Sequence, residues 1–463
     1  MHSCQKRARL WEIIGIVLLF LLCNCDNNKH GFLKFNLRGF PDDRFQIPDT
    51  SSQDRFLRTV AFDTWRYFEN AVDNKTGFVV DKIWLEPIEI ADYTSITNIG
   101  LQMVAIVSAM DFGFINPSDA EKLIEQILDE LNRLPRHNGF FYNWYDLNTL
   151  QESRRYISSV DYAWLLSSLE IVGVVFPDLS DICYNLINQA NFSWLYDDSL
   201  HHFFLGYDAD KQKFSPYHYG LLCSESRICL YLGIMQGNIQ PENWYYQERT
   251  LPLDYEQQQK PKGSWNVASG IHYFQSYYEY LDMKIVPSWG GALFEFLMPG
   301  LLVNEQTLAP FGIGENNRRA IQIHTDYALN RLNYPVWGMS PSSIPTGGYG
   351  EFGVPDIGTK VNGYLLSVVS PHASILALSY NPQIVFRNLK IMLAKYPIYG
   401  DYGFYDSLDP VTGDVGKSYL ALDQAMILIS LNNYLNNGKI TNRFERLPGF
   451  EKIRLLLAED KMF

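Results

Sequence analysis

Tyr217-His218-Tyr219-Gly220-Leu221-Leu222-Cys223-Ser224-Glu225-Ser226-Arg227 is the stretch on which the fold turns. An aromatic and histidine cluster runs into an apolar segment, Leu221 to Met235, that carries one glutamate and one arginine near its start. The segment reads as a helix. Ser288-Trp289-Gly290-Gly291-Ala292-Leu293-Phe294-Glu295-Phe296-Leu297-Met298-Pro299 repeats the arrangement, a glycine-aromatic turn opening a helix with one acid. Helix starts of this kind suit a helical sugar-processing enzyme. They suit equally well core helices with buried, satisfied polar groups.

Outward from these two stretches the chain reads as helix after helix. Leu57, Val60, Ala61, Thr64, Trp65, Phe68 and Val72 fall on one face at three-and-four spacing, and Asn74-Lys75-Thr76-Gly77 ends that helix. Further helices are expected at 97–110, 117–134, 158–174, 180–190, 221–235, 270–281, 292–302, 316–332, 372–378, 382–393 and 419–436. Asn116-Pro117-Ser118-Asp119 is a good helix start. Twelve helices make six pairs. With no βαβ alternation and no short repeat, the expectation is an all-α (α/α)6 toroid with long aromatic-rich loops and short β-hairpins. An irregular helical bundle is the plainer alternative.

The 463 residues suffice for a large core. Hydrophobic residues at 47% and charged residues at 19% make the chain globular. Aromatics reach 15%, which suits stacking against sugar rings. A net charge of −13 argues against nucleic acid as a partner. Lys6, Arg7 and Arg9 precede an apolar run from Ile13 to Leu22 that is short for a membrane span. The run ends in Cys23-Asn24-Cys25, so residues 1–25 read as a lipoprotein signal with lipid on Cys25, and Cys23 as the alternative. Residues 26–50 read as a tether and 51–463 as one domain. The expected location is the periplasm or outer membrane, anchored by lipid, and a monomer is expected. Cys183, Cys223 and Cys229 read as buried apolar residues, since no spacing suits zinc.

The candidate chemistry lies in acids beside aromatics. Tyr156-Ile157-Ser158-Ser159-Val160-Asp161 places an acid in a helix's first turn, where the dipole alone would favour it. Burial of Glu225 would raise its pKa, as a general acid requires, although a salt bridge to Arg227 is the structural alternative. Glu295, between two phenylalanines, reads more as structural. Asp406 follows a glycine-hinged loop, and Asp423 is a cap or a ligand. His218 and His372 read as lone histidines in core or sugar-contacting roles. Glycoside hydrolysis needs two carboxyls and no metal or organic cofactor.

Taken in order, these motifs resemble the bacterial glucoamylase-like domain family of endo-β-1,2-glucanases and cyclic β-1,2-glucan synthases. They are Tyr93 to Leu101, Gly139 to Asp146, Tyr156 to Asp161, Leu222 to Arg227, Ser288 to Pro299, Trp337 to Ser340, Tyr402 to Asp406 and Asp423-Gln424. The resemblance spans roughly residues 55–436. It implies an (α/α)6 fold and cleavage of β-glucan, with β-1,2-glucan first. It implies Glu225 as a catalytic or near-catalytic acid, with Asp161, Trp289 and Asp406 lining the cleft; the expectation is Glu225 as general acid, with Asp161 first and Asp406 second as base. Trp144, Tyr145, Asp146, His218, Arg227, Trp289, Trp337, Tyr405 and Asp423 would contact glucose units. The synthase branch reads Trp-Gly-Ile-Ser-Glu where this chain has Pro341, so an inverting hydrolysis is expected rather than a retaining one. The rivals are a glycan-binding lipoprotein without catalysis and a hydrolase of the same fold acting on another linkage. A lyase would want a basic cleft, for which Arg154, Arg155 and Arg227 are the only candidates near the motifs.

Overall fold

The computed structural model describes residues 37–41 and 45–463. The signal segment with Cys23 and Cys25 lies outside the described residues. Part of the expected tether packs on the body, where the Arg38 and Gly39 amides donate to Val72 and Asn70 carbonyls.

Twelve helices build two concentric rings. The inner ring contains α2 (Ile96–Phe112), α4 (Ser159–Val175), α6 (Arg227–Met235), α7 (Leu293–Leu297), α9 (Pro371–Ile375) and α11 (Ala421–Leu435). The outer ring contains α1 (Gln53–Asn70), α3 (Pro117–Arg133), α5 (Ser180–Ile187), α8 (Ile313–Asp326), α10 (Pro382–Lys395) and α12 (Phe450–Glu459). Inner helices are buried nearly all round: every residue of α2 from Ile96 to Ala109 is buried. Outer helices bury one stripe, as α3 does with Ala120, Ile124, Ile127, Leu128 and Leu131. α2 packs on α4, α4 on α6, α7 on α9, α9 on α11, and α11 returns to α2. The ring is thereby closed by residues from opposite ends of the chain.

Short antiparallel strands deliver the chain to the inner helices. Tyr93–Ser95 pairs with Trp144–Asp146 and enters α2, and Tyr156–Ser158 pairs with Gly206–Asp208 and enters α4. Ser95 and Ser158 cap these helices by accepting from the Asn98 and Asp161 amides. This places the first turns of the inner helices, and the polar residues they carry, at one end of the toroid.

The structure departs from the expected helices in three places. Residues 270–281 form no helix: Ile271–Tyr280 is the central strand of a meander with Lys262–Ala268 and Met283–Ile285. Tyr, Phe and Ile dominate it, and Ser269 and Gly270 both take positive φ in the connecting turn. The missing outer helix is supplied by α12, which packs on α6 from the C-terminal end of the chain. Finally, α6 begins at Arg227 rather than Leu221, so Glu225 sits in the turn before the helix. The three cysteines are free and buried. Among the described residues, no helix is long and apolar enough to cross a membrane.

Candidate functional site

Three buried carboxyls lie at the entries to α4, α6 and α7: Asp161 and Glu295 in first turns and Glu225 in the turn before α6. Asp161 accepts a 2.6 Å bond from the Thr97 hydroxyl of α2. Glu225 accepts from the Ser224 hydroxyl at 2.9 Å. Glu295 accepts from the Ser288 hydroxyl at 2.7 Å and from the Gly290 and Ala292 amides, so it ties down the turn that presents Trp289. Burial raises the pKa of all three, and each charge acts on another. Burial and then the Glu225 charge push Glu295 up to about 8. Burial lifts Glu225, and the Asp161 charge adds to it against the opposing Arg227. Burial likewise lifts Asp161. A charge on Asp161 beside the buried Glu225 favours the protonated form of Glu225, which is what a general acid needs. Tyr219 and Tyr364 lie in the same field. The indole Nε1 of Trp289 is buried and has no acceptor among the described residues.

A second group forms from α9, α11 and the loop before α11. His372, Asp406 and Asp423 are buried and offer ligand atoms within 4.8 Å of one another. Burial pushes His372 down to about 4, so the ring is neutral. Burial and then Asp406 push Asp423 well up. A proton held on Asp423 gives the two carboxyls the hydrogen bond that two bare carboxylates cannot make. Asp406 also accepts from the Ser343 amide at 2.5 Å. Its Oδ1, Asp423 Oδ2 and both His372 nitrogens make no hydrogen bond among the described residues, although His372 Nδ1 and Asp423 Oδ2 face each other at 3.5 Å. Such orphaned groups are arranged for a ligand with hydroxyls, and the same three side chains could hold a metal ion. Tyr349 feels Asp423 and Asp406, and Tyr364 feels Glu295 and Glu225; both also feel Glu351.

Other expected contacts fall elsewhere. Trp144 is half-buried and meets Tyr93 edge to face. Tyr145 is fully buried, its hydroxyl donating to the Pro135 carbonyl. Asp146 caps its own turn through the Asn148 and Thr149 amides. His218 faces Asp197 at 3.0 Å. Trp337 is 2% exposed, its main chain paired to Asn388, so it packs in the core. Tyr405 packs on Tyr419 and lines a pocket of about 280 Å³ with Phe40, Phe45 and Tyr399. Arg227 is fully buried and bonded to Glu305, and Arg154 and Arg155 pair with Asp208 and Asp210. The sequence reading named His372 without its acid partners and did not single out Glu351. His372 read as a lone histidine because its partners are distant in the chain. Glu351 stands in no motif.

Residues 259–448 match the family described as "Putative glucoamylase", and residues 59–214 match one described as "Protein of unknown function (DUF3131)". The chain is 22% identical to the cyclic beta-(1,2)-glucan synthase NdvB of Rhizobium meliloti, covering 87% of this chain and 18% of the synthase. It is 21% identical to an exo beta-1,2-glucooligosaccharide sophorohydrolase (non-reducing end) of Parabacteroides distasonis, covering 87% of this chain and 57% of that protein. The chain thus spans about a fifth and somewhat over half of these two relatives. The fold matches the endo-beta-1,2-glucanase of Chitinophaga pinensis with a TM-score of 0.69 at 17% identity, covering 88% of this chain and 98% of that one.

Proposed function

From a chain whose residues 259–448 match the "Putative glucoamylase" family and whose fold matches an endo-beta-1,2-glucanase, we propose a glycoside hydrolase of that family acting on β-1,2-glucan. The observation that carries the reading is the buried series at the entries to the inner helices, in which Asp161 acts on Glu225 and Glu225 on Glu295. Glu225 is the general acid, its pKa raised by burial first and then by the Asp161 charge. It gives its proton to the glycosidic oxygen as the bond to the anomeric carbon breaks. Asp161 is the first choice for the carboxylate that takes a proton from the attacking water. Asp406 is second, and its bare Oδ1 favours it as a residue open to ligand. The unbonded indole of Trp289 fits a sugar hydroxyl, and its face a pyranose ring. His372 and Asp423 would bond hydroxyls of a neighbouring unit. Pro341, where the synthase branch has glutamate, favours inversion. The lipoprotein signal at residues 1–25 supports export and anchoring through Cys25.

The test is incubation with linear and cyclic β-glucans, with products resolved by size and the first-formed anomer read by proton NMR. Glu225→Gln should lower product release from β-1,2-glucan by about 10²–10⁴-fold while leaving glucan binding intact. A chain that binds β-1,2-glucan but releases nothing in wild-type form is the non-catalytic glycan-binding protein instead. Asp161→Asn and Asp406→Asn, compared in the same assay, identify the base.

A further inference from the structure

Arg227 spends every donor it has on main chain and on one carboxylate. Nε gives 2.7 Å to Glu305 Oε1, and Nη2 gives 3.0 Å to Glu305 Oε2 and 2.9 Å to the Phe296 carbonyl. Nη1 gives 3.0 Å to the Leu222 carbonyl and 3.1 Å to that of Ser224. An arginine has five N–H donors in a rigid fork, and all five are engaged. The accepting carbonyls are not scattered. Ser224 precedes Glu225, and its hydroxyl donates to the Glu225 carboxylate. Phe296 follows Glu295. One guanidinium therefore grips the backbone beside two of the three clustered acids, across the seam between α6 and α7. Glu305 is fixed in turn, accepting 2.6 Å from the Tyr231 hydroxyl of α6 and 2.8 Å from Asn317 of α8.

We propose that Arg227 is a positioning residue for Glu225, and that the Arg227–Glu305 pair is the clamp fixing the acid-bearing turn of α6 against α7. This rests on the reading of Glu225 as the general acid. Glu225 has no helical hydrogen-bond ladder of its own to fix it, since it lies in the turn before α6. The Ser224 hydroxyl and this clamp do that work. The groups facing Glu225 from the packed elements are Asp161 on α4, Glu295 on α7, Tyr219, Tyr364 and Cys229. Arg227 supplies the cationic charge among them. A lysine carries the same charge but is a point donor that cannot span Glu305, Phe296 and the 222–224 turn together.

A buried ion pair that only holds the fold would change stability and leave the rate per folded molecule alone. A clamp on the acid changes the rate. Arg227→Lys and Tyr231→Phe are to be assayed on linear β-1,2-glucan for kcat and KM, with amide exchange followed by mass spectrometry over residues 222–226 and 293–297. For Arg227→Lys we expect kcat to fall about 10–100-fold, the penalty of a slightly misplaced catalytic group, with KM within about twofold. Exchange over 222–226 should quicken. Tyr231→Phe removes one bond to Glu305 and should show the same split in smaller measure. A folded Arg227→Lys protein with wild-type kcat and wild-type exchange overturns the proposal. If that variant does not fold, wild-type kcat and exchange in Tyr231→Phe overturn it. If the wild-type chain cleaves no β-1,2-glucan, the functional reading fails separately. The clamp is then judged by exchange: quickening confined to the two segments upholds it, and unchanged exchange sinks it.

Discussion

Glu295 shows how one residue couples the stability of this protein to pH. In the unfolded chain its carboxyl titrates near 4.5, and in the fold near 8, first because it is buried and second because Glu225 is close. The folded state holds that proton more tightly. The contribution to stability is therefore fully present below about pH 4.5 and is lost as pH rises through 8. A difference of that size is worth on the order of a few kcal/mol. Glu295→Gln removes the titration and keeps one acceptor oxygen. Its Tm should decline less than wild type between pH 5 and 8, and parallel profiles would refute this account. From sequence, Glu295 stood out as an acid among phenylalanines but read as structural. The structure has it bonding the Trp289 turn and feeling Glu225 at once, and no spacing along a chain reveals the second of these. Glu225 itself was legible, because a single acid in an apolar segment advertises a raised pKa. Tyr145 and Trp337 were not legible as core residues, since an aromatic looks the same in sequence whether it faces a ligand or a neighbour.

The turn Ser288 to Ala292, leading into α7, is the element on which the site depends most closely. Gly291 takes φ +77°, and a Cβ there would lie 2.1 Å from the Val354 carbonyl oxygen. At Gly290 a Cβ would fall 1.9 Å from the Tyr364 ring. Gly290→Ala must therefore push that ring away from Glu225, Glu295 and Glu351, whose field it shares. Overpacking of this kind costs about 1–3 kcal/mol. We expect a Tm lowered by a few degrees and kcat/KM lowered at least tenfold; a variant with wild-type kinetics would show that Tyr364 does not border the chemistry. Elements were legible where cap and periodicity agreed, as at Asn116. The strand Ile271–Tyr280 was misread because its aromatics suit either period, although the Ser269-Gly270 turn before it signalled a hairpin. Helix α12 carried its signal too, in Phe450, Ile453 and Leu457 after Pro448-Gly449, but it lay beyond the expected twelve.

At the scale of the whole molecule, the notable feature is that the outer ring is finished out of order. α12 comes last in the chain and packs on α6, in the middle of it. The residue that follows α12 anchors the arrangement: Asp460 accepts 2.8 Å from the Trp244 indole and 3.3 Å from Arg249, with both charged side chains buried. Asp460→Ala would leave the Arg249 charge buried without its partner, at a cost of about 3–5 kcal/mol. Thermal unfolding should show a markedly lower Tm, and a Tm within a degree of wild type would rule out the anchor. The toroid was legible from the count of helices, whereas its closure was not, because which helix fills which place is decided by tertiary packing. This order of assembly also sets a clock. The turn bearing Glu225 leaves the ribosome long before residues 450–460, and at about 5–20 residues per second the wait is roughly 10–50 s. Throughout that interval α6 lacks its outer cover, and until residues 421–435 emerge the inner ring lacks α11 as well. Until residues 450–460 emerge, the face of α6 that α12 covers stays accessible to chaperones.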